Sequence, residues 1–301
     1  MLSRKNKLIL LKFLSIFSVV RGYNLLVIVI AQYLASIYIL APNWPLRDVI
    51  FDGDLFALVV ASMLAIAAGY IINNFYDAEK DLINRPKKTM LDRLVGQNTK
   101  LSAYFVLNFL SIVFASYVSF RAVLFFSIYI FGIWFYSHKL KKLPFIGNLT
   151  SALLAITPFF AVFIYYKNFA AVIFVHATFL FLLISMRELI KDLENIKGDL
   201  THNYRTIPII YGEQVSKIFL TGLSILTFVP IYLLTNHFDI GHMHIYFYIS
   251  ILLLIIFIGL LWKSRGRKHY VLLHNILKLI IVAGVFSILL IDIDLVLNRI
   301  L

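Results

Sequence analysis

Long apolar runs alternate with short charged segments along the 301 residues. The runs fall roughly at 20–41, 54–76, 101–119, 121–137, 148–166, 169–186, 217–234, 243–262 and 272–297. Each is close to the ~20 residues that a helix needs to cross a bilayer core. Backbone amides find no partners in lipid, so a spanning segment must be a helix or a strand of a closed barrel. The strict apolar–polar alternation of a barrel is missing from this sequence. The pattern therefore predicts an all-α, polytopic membrane protein with about nine transmembrane helices in a bundle. Residues 1–19 mix apolar positions with Lys7 and Lys12 and predict an interfacial amphipathic helix. No Gly/Ser linker or low-complexity tract divides the chain, so 1–301 reads as a single integral-membrane domain.

Composition agrees with that reading. The chain is 61% hydrophobic with a mean hydropathy of +0.89, more apolar surface than a soluble domain can hide. Cysteine is absent, which removes disulfides, thiolate metal sites and cysteine nucleophiles. Arg4, Lys5 and Lys7 before an apolar run superficially resemble a signal peptide, but no small-residue cleavage pattern follows, and the segment reads as part of the mature chain.

Charge then orients the bundle. Place the N-terminus and the loops after the second, fourth, sixth and eighth runs on one side. That side then carries all of the 28 Lys and Arg except Arg47, Arg121, Lys167, Lys278 and Arg299. By the positive-inside rule this predicts a cytoplasmic N-terminus and an external C-terminus, in a prokaryotic cell membrane. The net charge of +13 suits anionic membrane lipid and an anionic substrate. Nucleic acid is excluded as a partner, because the basic residues are dispersed over membrane loops rather than gathered on one groove-matching surface.

Two acidic motifs carry the candidate chemistry. In the first, Asn73, Asp77 and Asp81 are spaced by four and form one stripe on a helix. In the second, Glu188, Asp192, Asn195 and Asp199 again share a face. A solvated helix end would explain either stripe alone, but two at the same side of the membrane call for a common cause. Stacked carboxylates repel one another, and at a membrane edge they need a neutralising partner. Mg²⁺ is the economical choice, since it takes oxygen ligands and shares them with substrate phosphates. Candidate metal ligands are thus Asn73, Asp77, Asp81, Asp192, Asn195 and Asp199, with Asp77, Asp81, Asp192 and Asp199 the candidate catalytic carboxylates. Basic residues flank both motifs, and Arg85, Lys88, Lys141 and Arg205 are the candidates for binding a diphosphate. Pro86 and Pro208 punctuate the loops, and Gly198 is expected to loosen the helix before Asp199. Asp48, Asp52 and Asp54, on the opposite side, read as a solvated loop.

These residues resemble a known family. Asn73-xxx-Asp77-xxx-Asp81 followed by Ile83-Asn84-Arg85-Pro86 is similar to the first motif of the UbiA-type intramembrane prenyltransferases. Lys191 through Asp199, then Tyr204-Arg205-Thr206-Ile207-Pro208, resembles their second motif, and Tyr136-Ser137-xx-Leu140-Lys141 a third, weaker one. The layout of nine spans with motifs after the second and sixth extends the resemblance over nearly the whole chain. It departs at Asn195, where the family usually has aspartate. Asparagine ligates Mg²⁺ through its carbonyl but brings no charge, so either Glu194 or Asp192 compensates or a second metal is held more weakly.

The resemblance implies a central cavity open to the cytoplasmic side, where a polyprenyl diphosphate donor meets a lipophilic acceptor with Mg²⁺ as cofactor. The allylic cation left by ionisation would be shielded from water by apolar walls and faced by aromatic rings such as Phe75, Tyr76, Tyr136 and Tyr204. Among the branches, the motifs look most like the one that prenylates geranylgeranylglyceryl phosphate; prenylation of a hydroxylated aromatic ring in quinone biosynthesis is the alternative. Arg21, Asn24, Tyr136 and Asn148 are candidates for the acceptor and prenyl pocket. An ion-coupled transporter is the competing class, but its acidic residues belong near mid-bilayer, whereas these lie at the cytoplasmic rim.

Overall fold

The computed structural model describes residues 4–292 of the chain, and among these it contains helices and no strands. A first helix, α1 (Arg4–Val19), precedes nine helices long and apolar enough to cross a membrane. These are α2 (Gly22–Leu40), α4 (Gly53–Asn84), α6 (Gln97–Val118), α7 (Phe120–Lys142), α8 (Ile146–Tyr166), α9 (Ala171–Thr201), α10 (Ile207–His237), α11 (Gly241–Lys263) and α12 (Arg267–Leu290). Two short helices, α3 (Leu46–Ile50) and α5 (Pro86–Asp92), lie in the connections. Every predicted span has its helix. The ninth ends at Leu290; its predicted extent beyond Asp292, with Arg299 and the C-terminus, lies outside the described residues.

Burial separates inner from outer helices. The apolar windows of α4 and α9 are 67% and 50% buried, against 17% for α6 and α7, so α4 and α9 form the centre and the others face lipid. One core packs α9 through α12 around Leu183, Met186, Leu254 and Phe257; another packs α4, α6 and α7 around Ala65 and Phe126. Small residues such as Ala61, Ala65 and Ala68 let the neighbours approach α4 closely.

The inner helices are also long. At 32 and 31 residues, α4 and α9 each extend about 47 Å, well beyond the ~30 Å hydrocarbon core. Their surplus turns carry the acidic motifs, which hydropathy alone assigns to the loops that follow each run. Asp52, read from the sequence as part of a solvated loop, instead caps α4: its carboxylate accepts from the amides of Asp54 and Leu55 and from the Tyr165 hydroxyl at 2.7 Å.

Gly198 does not loosen α9, which continues to Thr201. Its missing Cβ instead admits the Asn84 side chain, whose Oδ1 accepts from the Gly198 amide at 3.1 Å. The last turn of α4 is thereby latched to the second motif. The kink falls elsewhere, at Gly212 inside α10, where φ is 84°.

A buried carboxylate, Asp92, ties the connections to the bundle. It accepts from Ser18 of α1 at 2.8 Å, Asn74 of α4 at 3.1 Å and Lys88 of α5 at 2.8 Å. Asn74 in turn accepts from the buried Lys100 of α6 at 2.9 Å. Asp92→Ala leaves several donors without an acceptor and is expected to cost about 2 kcal/mol. Thermal unfolding in detergent tests this; a midpoint equal to that of the wild type would refute the hub.

Candidate active site

The two motifs meet in a small polar cleft of about 30 Å3. From α4 it takes Asn73, Asp77 and Lys80; from α7, Tyr136 and Lys141; from the start of α8, Gly147 and Asn148. Helix α9 contributes Glu188, Lys191, Asp192, Asn195 and Asp199, and the α9–α10 connection adds Tyr204 and Thr206. Helical spacing explains the set. Asn73 and Asp77 are one turn apart, and 188, 192, 195 and 199 trace one face of α9.

Asp77 is the centre of the cleft. Its Oδ1 accepts from Lys141 Nζ at 2.8 Å and from the Tyr204 hydroxyl at 2.9 Å, with Lys80 Nζ at 3.4 Å. Lys141 also donates to Asn73 Oδ1 at 3.1 Å. It is set in place by the turn that ends α7, against which Gly147 packs its bare Cα. Lys80 reaches across to Asp199 Oδ1 at 3.1 Å and lies 4.2 Å from the centre of the Tyr204 ring. Burial, reinforced by the neighbouring Asp77 carboxylate, pushes the Tyr204 phenol above its usual range, so it stays protonated and donates.

On α9, Glu188 pairs with Lys191 at 2.9 Å, and Asp192 accepts from Asn148 Nδ2 at 2.8 Å. Asn195 Oδ1 is buried without a hydrogen-bond partner. Such an orphan acceptor is costly unless something else binds it. The donor set of carboxylates and amide carbonyls, with this free oxygen among them, fits a hard cation such as Mg²⁺.

Of the residues singled out in the sequence, the cleft gathers Asn73, Asp77, Tyr136, Lys141, Asn148, Glu188, Asp192, Asn195, Asp199 and Tyr204. Asp81, one turn beyond Asp77, does not line it. Arg85 pairs with Glu194 at 3.2 Å, beside Arg267 at 3.7 Å and His274 at 3.5 Å. That cluster turns Glu194 away from the cleft, so it does not supply the charge that Asn195 lacks. Lys88 is engaged by Asp92, and Arg205 is exposed, its amide donating to the Lys142 carbonyl at 2.9 Å. Arg21 stacks on Tyr70 at 4.8 Å, and Asn24 Nδ2 lies 3.4 Å from the Tyr70 hydroxyl. Lys80, Lys191 and the Tyr204 hydroxyl were not singled out; the signal for each lysine was its place three residues after an acidic residue of the stripe.

An apolar cavity of about 140 Å3 shares α8 and α9 with the cleft. It is lined from α2, α8, α9, α11 and α12 by residues that include Ala35, Ile156, Leu180, Leu183, Phe247 and Ile281. Leu183 is little more than a turn from Glu188, so a polar head and an apolar tail can be held by consecutive stretches of α9.

A polar cleft lined by lysines and carboxylates, with an apolar cavity in the same helical membrane bundle, suits an anionic head on a hydrocarbon chain. Residues 25–279 match the UbiA prenyltransferase family, and the chain belongs to it: it is an integral-membrane prenyltransferase. It is 27% identical over 220 residues to the digeranylgeranylglyceryl phosphate synthase of Sulfurisphaera tokodaii, covering 71% of this chain and 77% of that one. A solved digeranylgeranylglyceryl phosphate synthase structure superposes with a TM-score of 0.69 at 21% identity, over 92% of this chain and 97% of that one. A UbiA homologue from Archaeoglobus fulgidus, solved with GPP and Mg²⁺, gives 0.67 at 14% identity, over 91% and 99%. These two likenesses bear on the fold.

Proposed function

We propose that this chain transfers a prenyl group from a polyprenyl diphosphate to geranylgeranylglyceryl phosphate, with Mg²⁺ held by Asn73, Asp77, Asp192, Asn195 and Asp199. The observation that carries this reading is the meeting of both acidic stripes in one cleft, with the buried Asn195 oxygen left free to bind. The naming of the Sulfurisphaera relative, and the Mg²⁺ and GPP bound by the Archaeoglobus homologue, support the acceptor and the cofactor. Mg²⁺, when bound, neutralises the diphosphate and makes it a better leaving group.

The chain's own residues do the rest. Lys141 and Lys80 face the diphosphate with fixed positive charge, and the Tyr204 hydroxyl keeps Asp77 aligned between them. The apolar cavity takes the isoprenoid tail and keeps water from the allylic cation. Tyr136 and Asn148 border the cleft where the acceptor enters, with Arg21 and Asn24 at the start of α2 as its outer contacts. The bias of Lys and Arg to the loops on the cleft's side supports a cytoplasmic cleft in a prokaryotic cell membrane, with the N-terminus inside and the C-terminus outside.

The test is transfer from radiolabelled geranylgeranyl diphosphate by purified protein in detergent, with Mg²⁺ or EDTA. Geranylgeranylglyceryl phosphate and dihydroxynaphthoate are offered in parallel. Mg²⁺-dependent product with the glyceryl phosphate alone is the expected result; product with the aromatic acceptor alone would move the chain to the quinone branch.

A further inference from the structure

Lys80 occupies an unusual position for a basic residue at a membrane rim. Its side chain is only 12% exposed and its ammonium lies between the motifs, 3.4 Å from Asp77 and 3.1 Å from Asp199. The Tyr204 ring covers it at 4.2 Å, so contacts from two helices and a connecting segment hold it there. Asp77 and Asp199 are thus joined across the cleft by a cation built into the chain.

The same cleft is short of charge elsewhere. Asn195 brings a buried acceptor but no charge, and Glu194 is committed to Arg85, Arg267 and His274 on another face. Asp77 Oδ1 is shared by Lys141, Tyr204 and Lys80. The α9 face offers the orphan Asn195 oxygen and Asp192, which is held by the neutral Asn148 amide and, among the described residues, has no cation within ion-pair distance. These donors suffice for one hard cation beside the diphosphate, not for two.

We infer that Lys80 replaces one divalent cation: the site works with a single Mg²⁺, and the Lys80 ammonium permanently bridges the two motifs. This rests on reading the cleft as a metal–diphosphate site. A lysine fits the role because it is a compact point charge with three donors, able to engage both carboxylates and a phosphate oxygen. An ammonium carries half the charge of Mg²⁺, and it cannot be removed by chelators. The uncharged amide at 195 and the cation at 80 then belong together.

The experiment counts metal directly, using Mn²⁺ with geranylgeranyl thiolodiphosphate, a donor analogue that resists ionisation. Equilibrium binding to the full-length protein in detergent should saturate at one Mn²⁺ per chain. The electron paramagnetic resonance spectrum should be the hyperfine pattern of an isolated ion. Lys80→Met should admit a second ion, with the broadened spectrum of a coupled pair, whereas Lys80→Arg should keep the count at one. A coupled pair in the wild type would overturn the inference and leave the metal–diphosphate reading intact. A folded Lys80→Met that still binds one ion would also overturn it. No Mn²⁺ on any protein, with or without the analogue, would overturn both. The wild-type spectrum decides even if Lys80→Met does not fold.

Discussion

Asp77→Asn is expected to lower Mg²⁺-dependent prenyl transfer by about a thousandfold or more, the largest effect of any single change in the cleft. About 4 kcal/mol of transition-state stabilisation corresponds to that factor. A carboxylate that both orders the cationic groups and ligates the metal can supply it. Asp77 has this weight because Lys141, Lys80 and Tyr204 all converge on its Oδ1. Alanine is the poorer probe, because removing the side chain leaves two buried ammonium groups facing a void. Asparagine keeps the volume and one acceptor, so its loss of activity reports chemistry rather than folding. The matched control is Asp81→Asn, one turn further along α4 and off the cleft wall; it should cost far less. Initial rates for both variants, at saturating donor and with unfolding midpoints recorded alongside, make the comparison. A more active Asp77→Asn than Asp81→Asn would overturn the assignment of the cleft as the reaction centre.

The contrast between these two aspartates shows how far the sequence can be read. Spacing by four correctly puts Asn73, Asp77 and Asp81 on one stripe, but a stripe on a helix that leaves the bilayer runs from the buried cleft out to its rim. Only the packing of α9 against α4 decides where the cleft ends. The nine spans were legible because hydropathy over ~20 residues is a strong signal. The continuation of α4 and α9 past the membrane was not, because polar turns lower the hydropathy without breaking the helix. Glu194 was open as a substitute for charge at 195, and about 100° of helical rotation from its neighbour decides the matter: it faces Arg85 and α12. Charge alone cannot rank Arg85, Lys88, Lys141 and Arg205, since all follow acidic motifs or end a span. Three-dimensional pairing separates them, giving Arg85 and Lys88 carboxylate partners outside the cleft and Lys141 one inside. Gly198 was read as a weakness in the helix; its role, admitting Asn84, exists only once α4 and α9 are side by side.

Lys141→Met is expected to reduce transfer by about a hundred- to a thousandfold, the range found when one donor to developing negative charge is removed. Lys141 is the cleft's most enclosed cation, its side chain 5% exposed, and it holds Asp77 at 2.8 Å and Asn73 at 3.1 Å. Methionine matches its length and tolerates an irregular apolar contact, so the packing around the end of α7 survives while the charge is lost. Two consequences follow from that one loss. The diphosphate loses a fixed counter-charge as it departs, which lowers kcat. Asp77 loses its shortest ion pair, which loosens the metal ligands and raises the Mg²⁺ concentration needed for half-maximal rate. Lys141→Arg separates charge from shape. A guanidinium keeps the charge, but its planar fork is wider than an ammonium and must fit where Gly147 already presses on the Lys141 backbone. Arginine is therefore expected to recover no more than a tenth of wild-type activity. Lys142→Met is the control: Lys142 itself sits 5.5 Å from the Tyr204 ring but does not line the cleft, and activity should fall only a few-fold. Full activity in Lys141→Met would remove Lys141 from the reaction, and equal losses at 141 and 142 would mean that net basic charge, not the position of one ammonium, drives the transfer.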